Sequence, residues 1–533
     1  MKWWTGDPGE PGYDVVVVGS GAAGLVAAAA AAARGLRVAV LEKTGFLGGT
    51  SSISAGTVWV PDNGLAGDDP VVARDYLARQ TGSPPGEPML DTLVGRGRDM
   101  LAFVAARCGL VFDAVPDYPD YRQDVPGAAA GGRSLQPRLF DASVLGELRA
   151  ALRPDALPPY TMREFKEWGS WERFPWTELE ERRERGIVAR GGALIAPLLG
   201  GCRDLGVTLV TDAAVTGIAR TGEGFSLSGN DFTLHARSGL ILASGGFEWD
   251  PGLRAEHFGD RLAATCSPPG ANTGDGHRLA TGLGAALGDL GEAWWAPMVT
   301  SPEAVPGGVA KGILIRVERQ GPGTITVGRD GRRFANESQN YNSFVRAAFE
   351  ARAPLPMYLV FDHRFFARYG FLRRSVAEGP PPGVRSGGTV AELAAALGVD
   401  AAALEKTVAE FNADAVAGKD RLFGRGEDAY DRYSGDSANP FPNPCLAPLA
   451  EPPFYGIPLV TGAFGTAGGV CTDHLARALD ERGEIVPGLA AVGNVSRHPM
   501  ARTYPGAGGT LGPAMTMGFV AGSTSDTSER QAR

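Results

Sequence analysis

Tyr504, Gly508 and Thr510 fall in one short turn, Arg502-Thr503-Tyr504-Pro505-Gly506-Ala507-Gly508-Gly509-Thr510-Leu511-Gly512-Pro513-Ala514. A phenol and a glycine amide at that spacing can both donate to one carbonyl oxygen, stabilising the charge that develops there when an adjacent proton leaves. Taken alone, the pair reads rather as a buried tyrosine and a left-handed turn glycine; the glycine motifs elsewhere in the chain tip the reading toward catalysis. Thr510 is placed to cap a helix that starts near Leu511, tolerates Pro513 in its first turn and runs through Met515, Met517 and Val520. The positive end of such a helix favours an anion beside it. Oxidation next to a carbonyl then needs two further parts, a base for the proton and an acceptor for a hydride.

The amino-terminal segment offers a place for the acceptor. Val15 to Ala33 carries no charge and is long enough to imitate a membrane span. Its inner order says otherwise: four valines favour a strand, Gly19-Ser20-Gly21-Ala22-Ala23-Gly24 breaks it, and the alanines that follow favour a helix. The order gives this GxGxxG run a mechanism. Gly19 permits the turn, Gly21 lets the backbone approach a pyrophosphate, and Gly24 lets the helix pack on the strand. A second strand, Leu36 to Leu41, ends at Glu42, near the offset of roughly 20 residues at which an acid binds a ribose hydroxyl. Beyond Lys43, the loop Gly45-Phe46-Leu47-Gly48-Gly49-Thr50-Ser51-Ser52 presents amides and hydroxyls to phosphate or to the polar edge of a flavin ring; a flexible surface turn is the bland alternative.

Composition sets the frame around these motifs. The chain has 533 residues, beyond the roughly 250–300 at which a single core stops growing, so two domains are predicted. A net charge of −9, without basic clusters interleaved with aromatics, argues against a nucleic-acid partner. Cys108, Cys202, Cys266, Cys445 and Cys471 are odd in number and lack CxxC spacing, so neither a disulfide framework nor a zinc site follows. The first residues, MKWWTGDPGEPGYD, lack the apolar core of a signal peptide. A cytoplasmic location is expected, with peripheral contact at a membrane left open. No second GxGxxG with a downstream acid follows, so no separate nicotinamide-nucleotide domain is predicted and a quinone-like acceptor or oxygen takes the electrons.

These motifs resemble the flavoprotein family that contains succinate dehydrogenase, fumarate reductase and the 3-ketosteroid dehydrogenases. Gly239 to Phe247, with Ser244 and Gly245, looks like the family's strand ending at the cofactor, and Gly488 to Asn494, with Gly493, looks like its last cofactor-contacting strand. The resemblance implies an α/β fold: a Rossmann-like FAD-binding domain built from both chain ends (1–286 and 450–533) with an inserted α+β catalytic cap domain at 287–449. It implies non-covalent FAD held by Gly19, Gly21, Ala22, Ala23, Gly24, Glu42, Lys43, Gly48, Gly49, Thr50, Ser51, Ser244, Gly245, Gly493, Asn494, Gly509, Thr510 and Leu511. Ala293-Trp294-Trp295-Ala296-Pro297, Glu318 to Gly323 and Gly331 to Ser338 look like landmarks of the 3-ketosteroid Δ1-dehydrogenase branch.

That branch assigns Tyr504 and the Gly508 amide to the substrate ketone and Tyr341 to the base. A free phenol, with a pKa of about 10, is only about one part in a thousand ionised near pH 7 and needs help. The resemblance supplies a second tyrosine before a Pro-Gly pair; both Tyr118 and Tyr121 precede Pro126-Gly127, and counting back selects Tyr121. The implied reaction removes a proton beside the ketone, passes a hydride to flavin N5 and leaves an α,β-unsaturated ketone.

Departures loosen the substrate. Asn340 stands where the family usually has proline, and Arg497-His498-Pro499-Met500-Ala501 replaces a smaller, less polar stretch. A smaller cyclohexanone-like ketone is therefore an alternative to a 3-ketosteroid. Dicarboxylate oxidoreduction, redox-neutral isomerisation and a flavoprotein whose FAD is structural remain as rivals; the first has Arg319, Arg332, Arg333 and His498 to draw on but only His363 among histidines of the cap. Phe165, Trp168, Trp171, Phe174 and Trp176 precede a mixed-charge helix. They are read as a lid packed on the cap, or as the border of an apolar entrance.

Overall fold

A computed structural model describes residues 1–6, 12–84, 86–169, 173–222, 224–301, 310–500 and 502–524. Trp171 of the aromatic segment and the polar tail beyond Thr524 lie outside the described residues.

The β-branched run forms the strand Tyr13–Val18, flanked in parallel by Val38–Leu41 on one side and Thr233–Leu242 on the other. Thr208–Thr211 extends the sheet beyond Val38–Leu41, and Ile485–Ala491 joins in parallel beside Leu240–Leu242. This nine-stranded sheet thus draws on both ends of the chain. Burial on both faces explains the near-continuous apolar strands.

The helix Ala22–Ala32 is buried at every position. Its alanines let neighbouring helices approach closely, and the carboxyl-terminal helix Leu511–Thr524 takes advantage of that. An added Cβ at Gly518 would stand 2.4 Å from the Ala23 carbonyl oxygen, and one at Gly522 would stand 2.2 Å from that of Ala27. The two helices therefore touch backbone to backbone, and both begin at the same cavity.

A seven-stranded sheet builds the second body around the long strand Phe454–Thr466, which pairs antiparallel with Ala293–Thr300 and with Met357–Asp362. Its members Ala264–Thr265 and Phe454–Thr466 extend past the 287–449 span expected for the cap. The helix Tyr341–Glu350 lies against Ala293–Thr300, where the Asn342 side-chain oxygen accepts from the Trp295 amide at 3.2 Å. Asn340 caps this helix by accepting from the Ser343 amide at 2.9 Å. The residue that departs from the family pattern is thus a strong N-cap that starts the helix at Tyr341.

Candidate active site

A cavity of about 1170 Å³ runs from the glycine turn to a cluster of phenols. Gly19, Gly21, Ala22, Ala23, Glu42, Lys43, Gly49, Thr50, Ser51, Ser244, Gly245, Gly493, Asn494, Thr510 and Leu511 line one half. Of the residues expected at a cofactor, Gly24, Gly48 and Gly509 stand behind the wall. Gly24 acts through packing, since a Cβ there would lie 2.1 Å from the Gly19 oxygen. The Gly48 amide donates to Ser20 Oγ at 2.9 Å.

The walls of this half fit a dinucleotide. A Cβ at Gly21 would face open space, meeting only Ser51 Oγ at 3.6 Å. The helix Ala22–Ala32 has no side-chain cap from Gly21, so its first turn keeps amides for a phosphate, although Ala22 already donates to Ser51 Oγ at 3.2 Å. Glu42 holds the turn in place: its Oε2 accepts from the amide and hydroxyl of Ser20 at 3.3 and 2.7 Å. Lys43 donates to Thr273 and Asp275 at 2.6 and 2.8 Å. Asn272, Asp275 and Arg153 also line this half and were not anticipated. The glycine-flanked run Asn272-Thr273-Gly274-Asp275-Gly276, placed at a helix start, was a usable signal for the first two.

At the other end three phenols converge from distant parts of the chain. Tyr121 donates to the Tyr341 hydroxyl at 3.4 Å. The Tyr504 ring lies 5.5 Å from that of Tyr121 and 5.3 Å from that of Tyr341, centroid to centroid. Burial raises Tyr121 and Tyr341 well above the usual phenol range, and burial also raises Tyr504, so all three rest protonated. Between the two candidates for the helper, geometry separates their positions: Tyr121 meets Tyr341, whereas the Tyr118 hydroxyl accepts from Arg316 at 3.0 Å.

Gly508 takes φ +91° and lines the cavity. Its carbonyl accepts from the Trp59 amide at 3.1 Å, and its own amide has no partner among the described residues. Thr510 departs from expectation. The helix starts at Leu511 as predicted, but the Thr510 hydroxyl is bonded to the Tyr504 hydroxyl at 2.7 Å instead of capping it. Trp294 closes the wall beside Tyr504, its ring 5.3 Å away. His498 packs edge-on against Trp294, and burial lowers it to about 3, which keeps it neutral.

One carbonyl ties the phenol-bearing segments together. The Pro505 oxygen accepts from the Tyr121 amide at 2.9 Å and from the Tyr76 hydroxyl at 2.8 Å. Beneath it, buried Asp120 accepts from Trp59 Nε1 at 2.7 Å and pairs with Arg133 at 2.8 Å, and Arg133 also pairs with Asp68 at 2.8 Å. None of this was legible as function in the sequence. Asp120→Ala removes one of two carboxylates facing a buried guanidinium and is expected to cost about 3–5 kcal/mol, read as a lower denaturant midpoint. Misplacement of Tyr121 is expected to lower turnover as well.

The arginines proposed for a dicarboxylate are engaged elsewhere. Arg333 pairs with Glu337 and Asp420 at 2.6 and 2.8 Å, Arg319 is fully buried and donates to the carbonyls of Glu337 and Gln339, and Arg332 is exposed. None of the three lines the cavity, nor does His363. Of the aromatic segment, Phe165 reaches the cavity, Phe174 is buried against Tyr160, and Trp176 is exposed. Among the described residues no helix is long and apolar enough to cross a membrane.

Known proteins resemble this chain over nearly its whole length. The chain is 44% identical to 4-oxocyclohexanecarboxylate 2-dehydrogenase of Sinomonas cyclohexanicum, over 98% of this chain and 94% of the relative. It is 37% identical to 3-oxosteroid 1-dehydrogenase of Mycobacterium tuberculosis, over 96% of this chain and 97% of the relative. The structure of 3-ketosteroid Δ1-dehydrogenase from Sterolibacterium denitrificans in complex with 1,4-androstadiene-3,17-dione superposes with a TM-score of 0.88 at 34% identity, covering 96% of this chain and 99% of that one. The FAD binding domain family matches residues 14–511. With the glycine turn, the uncapped helix start and the long cavity already in place, the chain is a flavoprotein oxidoreductase that binds FAD and belongs to the FAD binding domain family.

Proposed function

We propose that the chain oxidises a saturated cyclic ketone to the α,β-unsaturated ketone. The observation that carries this reading is the meeting of Tyr121, Tyr341, Tyr504 and Gly508 at the end of the cavity away from the glycine turn. FAD, when bound, supplies the hydride acceptor. Tyr504 and the Gly508 amide receive the ketone oxygen, where two donors stabilise the enolate as it forms. Tyr341, after its own proton passes to solvent, takes as phenolate the proton from the carbon beside the ketone, and the Tyr121 hydroxyl, donating to the Tyr341 oxygen, offsets part of the cost of that buried phenolate. The ring walls of Trp294, Phe464 and Tyr341 exclude water from the reacting carbons.

A monocyclic ketone is the favoured substrate, supported by the relative named for 4-oxocyclohexanecarboxylate. A 3-ketosteroid is the second reading, supported by the two relatives named for steroid oxidation. Anaerobic flavin bleaching with a panel of cyclohexanones and 3-ketosteroids tests both, and product mass completes the test. A product lighter by two hydrogens marks dehydrogenation, whereas unchanged mass marks isomerisation; no bleaching by any ketone removes the proposal. Within this reading, Tyr504→Phe is expected to lower kcat by about 10²–10³-fold, the loss of one oxyanion donor, measured as the anaerobic rate of flavin reduction at saturating ketone.

A further inference from the structure

Arg316 precedes the short helix Val317–Gln320 and lines the cavity beside the phenols. Its Nη1 donates to the Tyr118 hydroxyl at 3.0 Å, and no carboxylate lies within ion-pair distance of it among the described residues. A guanidinium has five N–H donors in a rigid fork, and one phenol oxygen leaves most of them unspent.

Arg373 and Lys311 also line this end and each has a partner, and the other arginines of the cavity differ from Arg316 too. Arg190 pairs with Asp155 at 2.5 Å and donates to the Pro158 carbonyl at 2.7 Å. Arg153 donates to Thr44 Oγ1 at 2.7 Å in the nucleotide half. Arg278 pairs with Asp250 and Asp275 at 2.9 and 2.8 Å. Among the described residues, the one lining acid at the end where Arg316 stands is Glu318, and burial pushes its carboxyl above the usual range, toward the neutral form. The surrounding wall combines Ile313, Leu314 and Leu372 with the polar Ser301, Lys311 and Arg373. Half-buried at the cavity wall, the guanidinium keeps donors for an anion that enters.

Its place relative to the ketone end is also defined. Arg316 holds Tyr118, the Tyr118 ring is 6.3 Å from that of Tyr121, and Tyr121 reaches Tyr341. The path from the guanidinium to the Tyr504 turn thus runs through the rings of Tyr118 and Tyr121, the latter 5.5 Å from that of Tyr504, a spacing that leaves the two anchors apart.

We infer that Arg316 binds a carboxylate on the substrate, so that the ring ketone is an anion held by its oxygen at Tyr504 and Gly508 and by its carboxylate at Arg316. The inference rests on the ketone-oxidation reading above and adds the substrate's charge to it. The planar fork suits a bidentate carboxylate, which a lysine would hold only as a point charge.

The test compares 4-oxocyclohexanecarboxylate with its methyl ester on the FAD-loaded enzyme. Wild-type kcat/KM is expected to favour the acid by at least about 100-fold, equivalent to about 2.8 kcal/mol at 1.4 kcal/mol per tenfold. Arg316→Leu is expected to abolish that ratio, chiefly through KM, and Arg316→Lys to keep part of it. The ketone-free probe cyclohexanecarboxylate is expected to perturb the wild-type flavin spectrum and to lose that effect in Arg316→Leu. Equal use of acid and ester by the wild type overturns the assignment without a variant that must fold. Equal loss on both substrates with a shifted pH profile overturns it too, because Arg316 then acts on the phenols. Failure of every ketone to reduce the flavin overturns the ketone-oxidation reading and this inference together; reduction by acid and ester alike overturns the carboxylate assignment alone.

Discussion

Tyr341→Phe lowers the rate of flavin reduction by about 10²–10⁴-fold, the contribution expected of a positioned general base, while FAD content stays unchanged. The substitution isolates the hydroxyl because the ring is fixed independently. It packs edge-on against Phe464 at 4.9 Å and against Tyr504 at 5.3 Å, contacts that phenylalanine keeps. The helix start is also preserved, since Asn340 and not Tyr341 supplies the cap. Burial disfavours the phenolate that a base must pass through. The neighbouring Tyr121 hydroxyl, 3.4 Å away, is a donor that compensates, so Tyr121→Phe is expected to slow the reaction less. Anaerobic stopped-flow reduction by the best ketone of the panel measures both, and full activity in Tyr341→Phe removes the base from the mechanism.

Gly508→Ala is expected to reduce kcat/KM by roughly 10⁴-fold, more than Tyr504→Phe does. A lost oxyanion donor accounts for about 10²–10³ of this, and displacement of the loop by about 1 Å accounts for a further factor near 10². The cause is steric. At φ +91° a Cβ would lie 2.4 Å from the Thr57 carbonyl oxygen and 2.5 Å from Val58 Cα, both backbone atoms that cannot swing aside. The strand Val58–Trp59 is itself bonded to Gly508 through the Trp59 amide, so the turn must move away from it. Gly509→Ala is the control: its Cβ would approach the Pro505 ring at 2.8 Å, a side-chain contact, and a smaller loss is expected. Flavin reduction rates for the two variants, with bound FAD quantified in each, separate loop displacement from cofactor loss.

The glycine turn, its strand and the alanine helix were legible because local spacing alone specifies them. Tyr504 and Gly508 were legible as a pair because they share one turn. Their meeting with Tyr341 and Tyr121 rested on resemblance, since Tyr121 and Tyr341 are 220 positions apart and no periodicity links them. Arg316 was passed over for a related reason: one arginine among many becomes distinctive only when its neighbours are seen to be spent elsewhere. The aromatic segment shows the converse limit. Its composition suggested an apolar entrance, but composition does not say which ring faces where, and of Phe165, Phe174 and Trp176 only Phe165 lines the cavity. Thr510 does not cap the following helix for a local reason: the Gly512 amide already donates to the Gly508 carbonyl at 2.9 Å, and Pro513 has no N–H to offer the hydroxyl.

The seating of Gly518 on Ala23 and of Gly522 on Ala27 has an energetic consequence. Two helices in backbone contact cannot shift independently, and one begins at the glycine turn of the nucleotide half while the other begins at the turn proposed to grip the ketone. Stiffening either start by a bound group lowers the entropy left to lose at the other. Any strengthening of substrate binding by cofactor is then expected to be matched by the reverse effect, as reciprocity requires. A bulky residue at Gly518 is where that coupling would first be lost.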